Sequence, residues 1–354
     1  MAGEDKTKES LIAAARCRTE RQAEFRDPPL RHFDVLMPAP MMPMIADALD
    51  RSCTLHKLWQ AENPEAELAR IAPLVRGIAT GGDRPVDPAY IRRFPQLEIV
   101  ASFGVGYDHV DAAYAGAHGI VVTNTPDVLN EEVADTALGL LLATVRQLPQ
   151  ADRYLRAGKW LQRPFPLTHT LRGRKLGIVG LGRIGKAIAL RAEAFGLEVS
   201  YHGRNAQPGA PWLYHPTLVG LARACDILLV ITPGGAATKN LVNAEVLAAL
   251  GPNGILINVA RGSVVDEAAL VEALQQGTIL SAGLDVFADE PRVPQALIDM
   301  GHVVLLPHVG SGTHHTRAAM AQLVIDNLEA WAQGRPPLTP VAETPWPATA
   351  KRAH

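Results

Sequence analysis

Three residues of complementary chemistry each follow an apolar run that reads as a β-strand. Arg261 lies in Asn258-Val259-Ala260-Arg261-Gly262, Glu290 ends the stretch opened by Gly283-Leu284-Asp285-Val286-Phe287, and His308 stands in Pro307-His308-Val309-Gly310-Ser311-Gly312-Thr313. Ligand sites of open α/β sheets form at the C-terminal ends of strands, so the three are placed to share one. They offer a fixed cation that can grip an anion, a carboxylate, and an imidazole that gains and loses a proton near neutral pH. Taken singly, each has a plainer reading: a structural histidine, an acid ahead of Pro291, a surface salt-bridge partner. Their joint placement after successive strands favours the shared site.

Ahead of all three lies a phosphate-binding signal. Leu176 to Val179 read as a buried strand, Gly180-Leu181-Gly182-Arg183-Ile184-Gly185 as a turn, and Lys186 to Phe195 as a helix. Gly180 permits the sharp turn, Gly182 lets backbone approach phosphate, and Gly185 lets the helix pack on the strand. A bare G-x-G-x-x-G is a weak signal; the strand before it and the helix after it point to the pyrophosphate of a dinucleotide.

The next strand, Leu197 to Tyr201, should end on the residue that reads the ribose, an acid where the cofactor is NAD. It ends instead in His202-Gly203-Arg204-Asn205. Gly203 opens space where a carboxylate would repel a phosphate, and Arg204 supplies a guanidinium that can hold one bidentately. The expected cofactor is NADP(H) in preference to NAD(H). The plainer alternative makes Arg204 a solvated surface charge.

The remaining sequence sets bounds. At 354 residues the chain is long enough for two domains, and with 47% apolar and 20% charged residues its composition is that of a globular protein. A formal net charge of -2 gives no footprint for nucleic acid or an acidic membrane surface. Cys17, Cys53 and Cys225 are scattered, suit a reducing compartment and have no metal-ligand spacing. His314-His315 lacks ligand partners at such spacing, so no metal is expected. The start of the chain lacks the apolar run of a signal peptide, and no stretch reaches the ~20 apolar residues that span a bilayer. The expectation is a soluble cytoplasmic protein.

Apolar runs alternate with helical patterns from Phe33 onward, which implies βα units and parallel sheets. Residues 1–30 read as a charged extension outside the core. A long helix is expected from Thr125 through about Leu148, an irregular arm from Lys159 to Leu171, and a loosely held proline-rich tail over Pro336 to Pro347. The nucleotide motif lies mid-chain with βα units on both sides. The expected fold class is therefore α/β, with two Rossmann-like or flavodoxin-like parallel-sheet domains, one inserted in the other. Residues 31–124 and 310–341 would form the outer, substrate-binding domain, 125–309 the NADP-binding domain, and 342–354 a tail.

The ordered motifs Val105-Gly106-Tyr107-Asp108, Leu181 to Gly185, Asn258 to Gly262, Asp285 to Pro291 and Pro307-His308 carry a resemblance. From about residue 33 to 341 the chain resembles the D-isomer-specific 2-hydroxyacid dehydrogenases. Asn124-Thr125-Pro126-Asp127-Val128, His202-Gly203-Arg204 and Leu338-Thr339-Pro340 are similar to the glyoxylate/hydroxypyruvate reductase branch and to plant hydroxyphenylpyruvate reductases. The resemblance implies a catalytic set of Arg261, Glu290 and His308. His308 would protonate the ketone oxygen as hydride arrives, Glu290 would fix its tautomer and favour imidazolium, and Arg261 would bind the 2-oxoacid carboxylate. It further implies substrate contacts from the Val105 and Gly106 amides, and cofactor contacts from Gly180, Gly182, Arg183, Ile184, Gly185, Gly203, Arg204, Asn205, Thr232, Pro233, Val259, Asp285, Gly310 and Ser311.

The activity so implied is NADPH-dependent reduction of glyoxylate and hydroxypyruvate to D-2-hydroxy acids, with larger or aryl 2-oxoacids as the close alternative. A formate dehydrogenase would need glutamine in place of Glu290, and a phosphoglycerate dehydrogenase with a regulatory module would need more chain after 341. A nucleotide-sensing corepressor would keep the fold but prefer NAD(H), which the Gly203-Arg204 pair opposes. Closure between the domains is expected near Asn124 to Pro126 and Leu306 to Gly310. A homodimer is expected, with the long helix and the arm near Trp160 as its surfaces; Trp160 reads equally as interface or as pocket wall.

Overall fold

Two sheets, each made in its own stretch of chain, organise the protein in a computed structural model that describes residues 33–82 and 84–346. Strands β1 (Asp34–Met37), β2 (Thr54–Lys57), β3 (Val75–Thr80), β4 (Ile99–Ser102) and β5 (Val121–Thr123) form the outer sheet in the order β2-β1-β3-β4-β5. The inner sheet contains β6 (Lys175–Val179), β7 (Glu198–His202), β8 (Leu213–Tyr214), β9 (Ile227–Val230), β10 (Ile255–Asn258), β11 (Ser281–Leu284) and β12 (Val304–Leu305). Its order is β12-β11-β10-β9-β6-β7-β8. Every strand pair in both sheets is parallel. Both orders reverse direction beside one strand, β1 in the outer sheet and β6 in the inner, which creates a crevice at its C-terminal end.

The central strands are apolar throughout because helices cover both faces. Ile227-Leu228-Leu229-Val230 and Ile255-Leu256-Ile257 are buried at every position. Each such side chain contributes about 1.5–3 kcal/mol on burial. Side-chain caps start many of the crossover helices: Asn63, Asp111, Thr217, Asn243 and Asp266 each accept the backbone N–H three residues on. The helix after β6, Arg183–Ala194, starts differently, with Gly182 and no side-chain cap.

The chain passes between domains twice. Helix Asn130–Val145 packs Ala134, Ala137, Leu138, Leu140 and Leu141 into the core of the inner sheet. Helix His314–Ala332 returns to the outer domain, where Ala321, Val324, Leu328 and Trp331 pack with Phe33, Val35 and Ile45.

Several elements differ from the sequence expectation. The helix expected from Thr125 to about Leu148 spans Asn130–Val145, and a second runs from Leu148 to Arg156. Pro149 forces the break: it lacks an N–H and its ring would clash with the Val145 carbonyl, so the chain turns through left-handed Gln147 at φ 49° and restarts. Strands β2 and β8 lacked a sequence signal, being short and mixed in polarity. The tail is the clearest correction. Val341 N donates to the Val122 carbonyl, Thr344 Oγ1 accepts from Val122 N, and Val341 and Thr344 are buried. This covers the unpaired edge of β5, an edge that a folded protein must satisfy. Asn327, fully buried, secures the same segment by exchanging hydrogen bonds with Thr339. The extension over 1–30 and the tail residues from 347 onward lie outside the described residues.

Candidate active site

His308 is built into the site by its backbone. It holds a left-handed φ of 52°, a conformation costing about 1–3 kcal/mol for a non-glycine residue. Asp285 stabilises that turn: its carbonyl accepts His308 N at 2.9 Å, and its carboxylate takes Val309 N at 2.7 Å and Gly310 N at 2.9 Å. Burial raises the Asp285 carboxyl, and those two N–H bonds oppose the rise. The imidazole Nδ1 lies 2.6 Å from Glu290 Oε2, and Nε2 has no partner among the described residues. Glu290 is itself fixed, because Oε1 accepts Phe287 N at 3.0 Å. Burial pushes the Glu290 carboxyl up, but the bonds from His308 and Phe287, with the His308 and Arg261 charges, hold it below its ordinary value. Glu290 is therefore a carboxylate at neutral pH.

Arg261 follows β10 in a turn tied by Asn258, whose amide donates to the Arg261 carbonyl and accepts Ala260 N. The next residue, Gly262, touches the loop that leads to Glu290: a Cβ there would sit 1.9 Å from the Phe287 carbonyl. The Arg261 guanidinium lies beside the outer-domain loop Gly104 to Asp108, so the cation from one domain meets backbone from the other. Asn124 steadies that loop by donating to the Val105 carbonyl at 2.8 Å.

The glycines after β6 form a cradle. Gly180 has φ 103°, and a Cβ on it would come within 3.0 Å of the Ile231 and Thr232 backbone. A Cβ on Gly185 would sit 2.2 Å from the Gly180 carbonyl, so the helix approaches the turn as closely as glycine permits. Gly182 has nothing within 4 Å of its Cβ direction, and the helix N–H groups behind it have no side-chain cap. That exposed N-terminus fits a pyrophosphate. Gly203 is equally open, and Arg204 and Asn205 beside it are exposed.

The NAD-binding domain of the D-isomer specific 2-hydroxyacid dehydrogenases matches residues 138–310. A glyoxylate/hydroxypyruvate reductase of Arabidopsis thaliana is 46% identical over 312 residues, covering 88% of this chain and 100% of its own length. The chain belongs to the D-isomer-specific 2-hydroxyacid dehydrogenase family. A hydroxyphenylpyruvate reductase of Plectranthus scutellarioides is also 46% identical, over 87% of this chain and 98% of its own. Among solved structures, an NADPH-dependent glyoxylate/hydroxypyruvate reductase from Sinorhizobium meliloti, in complex with NADP and malonate, is similar at 52% identity. It has a TM-score of 0.84 and covers 91% of this chain and 100% of that one.

In this dehydrogenase the other expected contacts are spread over both sides of the crevice. Thr232 follows β9 against Gly180, with Pro233 next in the chain, and Ile184 packs with Val105 and Ile231 between the domains. Val259 is buried in the inner core, while Gly310 lies over Asp285, with Ser311 next to it. Arg183 pairs with Asp127 at 3.1 Å. Two charged residues went unassigned in the sequence. Asp108 pairs with Arg261; its signal was membership of the Val105 loop. Arg317, whose guanidinium carbon lies 5.6 Å from the Phe103 ring centre, has no ion-pair partner among the described residues; burial lowers its pKa, with Asp285 opposing. Arg317 had no local signal, because a helical arginine reads as surface.

Proposed function

We propose that this dehydrogenase reduces small 2-oxoacids, glyoxylate and hydroxypyruvate foremost, to D-2-hydroxy acids with NADPH in preference to NADH. The observation that carries the reading is the His308–Glu290 pair at 2.6 Å, with the opposite imidazole nitrogen unpartnered among the described residues. A bound nicotinamide would supply hydride to the carbonyl carbon. His308, oriented by Glu290, donates its Nε2 proton to the carbonyl oxygen, a contribution of about 10²–10⁴-fold. Arg261 binds the substrate carboxylate and polarises the carbonyl, with the Val105 and Gly106 amides on its other side. Residues 31–124 and 310–341 would act as the substrate domain and 125–309 as the cofactor domain. The cofactor residues are those of the cradle, with Gly203, Arg204 and Asn205 taking the 2′-phosphate.

The names of the Arabidopsis and Sinorhizobium relatives support small substrates, and the latter's bound NADP supports the cofactor. The equally similar Plectranthus enzyme makes aryl 2-oxoacids the second reading. Initial rates of NADPH oxidation with glyoxylate, hydroxypyruvate, pyruvate and 4-hydroxyphenylpyruvate, repeated with NADH, decide between them. Failure of Arg204→Ala to raise the NADPH KM would remove the NADP assignment.

A homodimer is part of the same reading. Helix Leu148–Arg156 buries none of its residues, and beyond it Trp160, Leu161 and Leu167 are exposed, a concentration of apolar surface that suits association. Sedimentation of the wild type against Leu161→Asp tests it. No helix among the described residues is long and apolar enough to cross a membrane. The free thiols of Cys53 and Cys225 support a cytoplasmic setting.

A further inference from the structure

The guanidinium of Arg261 is engaged at two of its three nitrogens. Nε donates to Asp108 Oδ1 at 3.2 Å, and Nη1 donates to the Ala260 carbonyl at 2.7 Å. Nη2 has no acceptor among the described residues and faces Gly106, where an added Cβ would lie 2.0 Å from it. Gly234 closes a further side, since its Cβ would come within 3.0 Å of both Arg261 Cγ and Asp108 Oδ2. Asp108 belongs to the outer domain and Arg261 to the inner. Their side chains are 28% and 30% exposed, so the pair is partly shielded from the solvent that weakens surface ion pairs.

We propose that Asp108 is a positioning residue. It grips the Nε edge of Arg261 from the opposite domain, so that the open Nη2 edge meets the substrate carboxylate beside Val105 and Gly106. An unrestrained arginine would lose much side-chain freedom each time it bound an anion; anchoring it beforehand removes part of that cost from binding. The alternative is that Asp108 acts as a rival anion, occupying the cation until substrate displaces it. A rival carboxylate would take the two-pronged fork that a substrate carboxylate takes. Asp108 accepts at Nε alone and leaves Nη2 open, which is the arrangement of an anchor. Glycine at 106 and 234 fits the same purpose, because a side chain at either position would displace the guanidinium or its anchor.

This inference rests on the 2-oxoacid reading of Arg261, and the experiment separates the two. Turnover of glyoxylate by the wild type and its loss in Arg261→Ala test the reading. Asp108→Ala and the near-isosteric Asp108→Asn test the inference, through the KM for glyoxylate, the KM for NADPH, and oxamate binding to the enzyme–NADPH complex followed by fluorescence. Asp108→Ala is expected to raise the glyoxylate KM and weaken oxamate about tenfold or more, with Asn intermediate because it keeps an acceptor. The NADPH KM should stay within about twofold, which general disruption of the site would not allow. Unchanged or tighter oxamate binding in Asp108→Ala would overturn the proposal and make Asp108 a rival anion. A matching loss of NADPH affinity would overturn it in favour of a structural role. Oxamate binding reports on the anion site even if no 2-oxoacid is turned over.

Discussion

At the scale of the residue, the site depends on which proton sits where. His308 faces Glu290 through Nδ1, so a protonated ring presents Nε2–H outward, where the proposed acid must stand. His308→Gln should lower kcat by about 10²–10⁴-fold while NADPH binding, followed by fluorescence, stays near wild type. Loss of nucleotide affinity instead would make the residue structural. The imidazole bond helps hold the Glu290 carboxyl below its ordinary value. Glu290→Gln keeps the shape of the side chain but removes the carboxylate that accepts from the imidazole. It should lower kcat for reduction at least about tenfold while NADPH binding stays near wild type, and an unchanged kcat would show that the pair does not serve the reaction.

Elements set these distances by how closely their backbones approach. The turn carrying Arg261 docks on the loop carrying Glu290 through Gly262, where a Cβ would overlap the Phe287 carbonyl at 1.9 Å. The obstacle is backbone, so a substitution must push one loop from the other. Gly262→Ala is expected to destabilise the fold by about 1–3 kcal/mol, as overpacking does. It should also raise the 2-oxoacid KM, because Arg261 moves with the turn; a urea titration and a substrate titration on the same preparation check both. The helix after β6 illustrates the converse. Its N-terminus lacks the side-chain cap found on many crossover helices here, which leaves its N–H groups available to an anion.

Across the whole molecule, each domain encloses a cysteine away from solvent. Cys53 lies in the outer core and Cys225 in the inner, and burial pushes both thiols from 9.0 up to about 12, with Asp50 and Asp34 adding to the effect at Cys53. The folded state thus keeps these protons to higher pH than the unfolded chain. Their stabilisation is complete below about pH 9 and is lost as the pH rises from there toward 12, because only the unfolded thiols ionise in that window. The urea midpoint should fall above pH 9, and less steeply in the Cys53→Ala/Cys225→Ala double variant. An equally steep fall in both proteins would assign the loss to other groups. Near pH 8 both thiols should resist iodoacetamide in the native protein and react once it is unfolded.

By itself the sequence determined the fold class, the family and the inventory of reactive groups. Strand cores such as Ile227 to Val230, the glycine spacing from 180 to 185, and the stretches around Arg261, Glu290 and His308 are local signals, readable because each needs only its neighbours in the chain. Tertiary structure decided what depends on contacts between distant segments. The tail reads as loose, since its prolines form no regular element; only the exposed edge of β5, some 220 residues earlier, shows what holds it. Asp108 has no role until Arg261 arrives across the domain boundary, 153 residues away in sequence. The family resemblance implies Asp285 as a cofactor contact; only the structure shows its carboxylate accepting two backbone N–H groups that shape the His308 turn. Pairing of charges and satisfaction of buried backbone are properties of three-dimensional neighbours, and a linear pattern carries no distance between them.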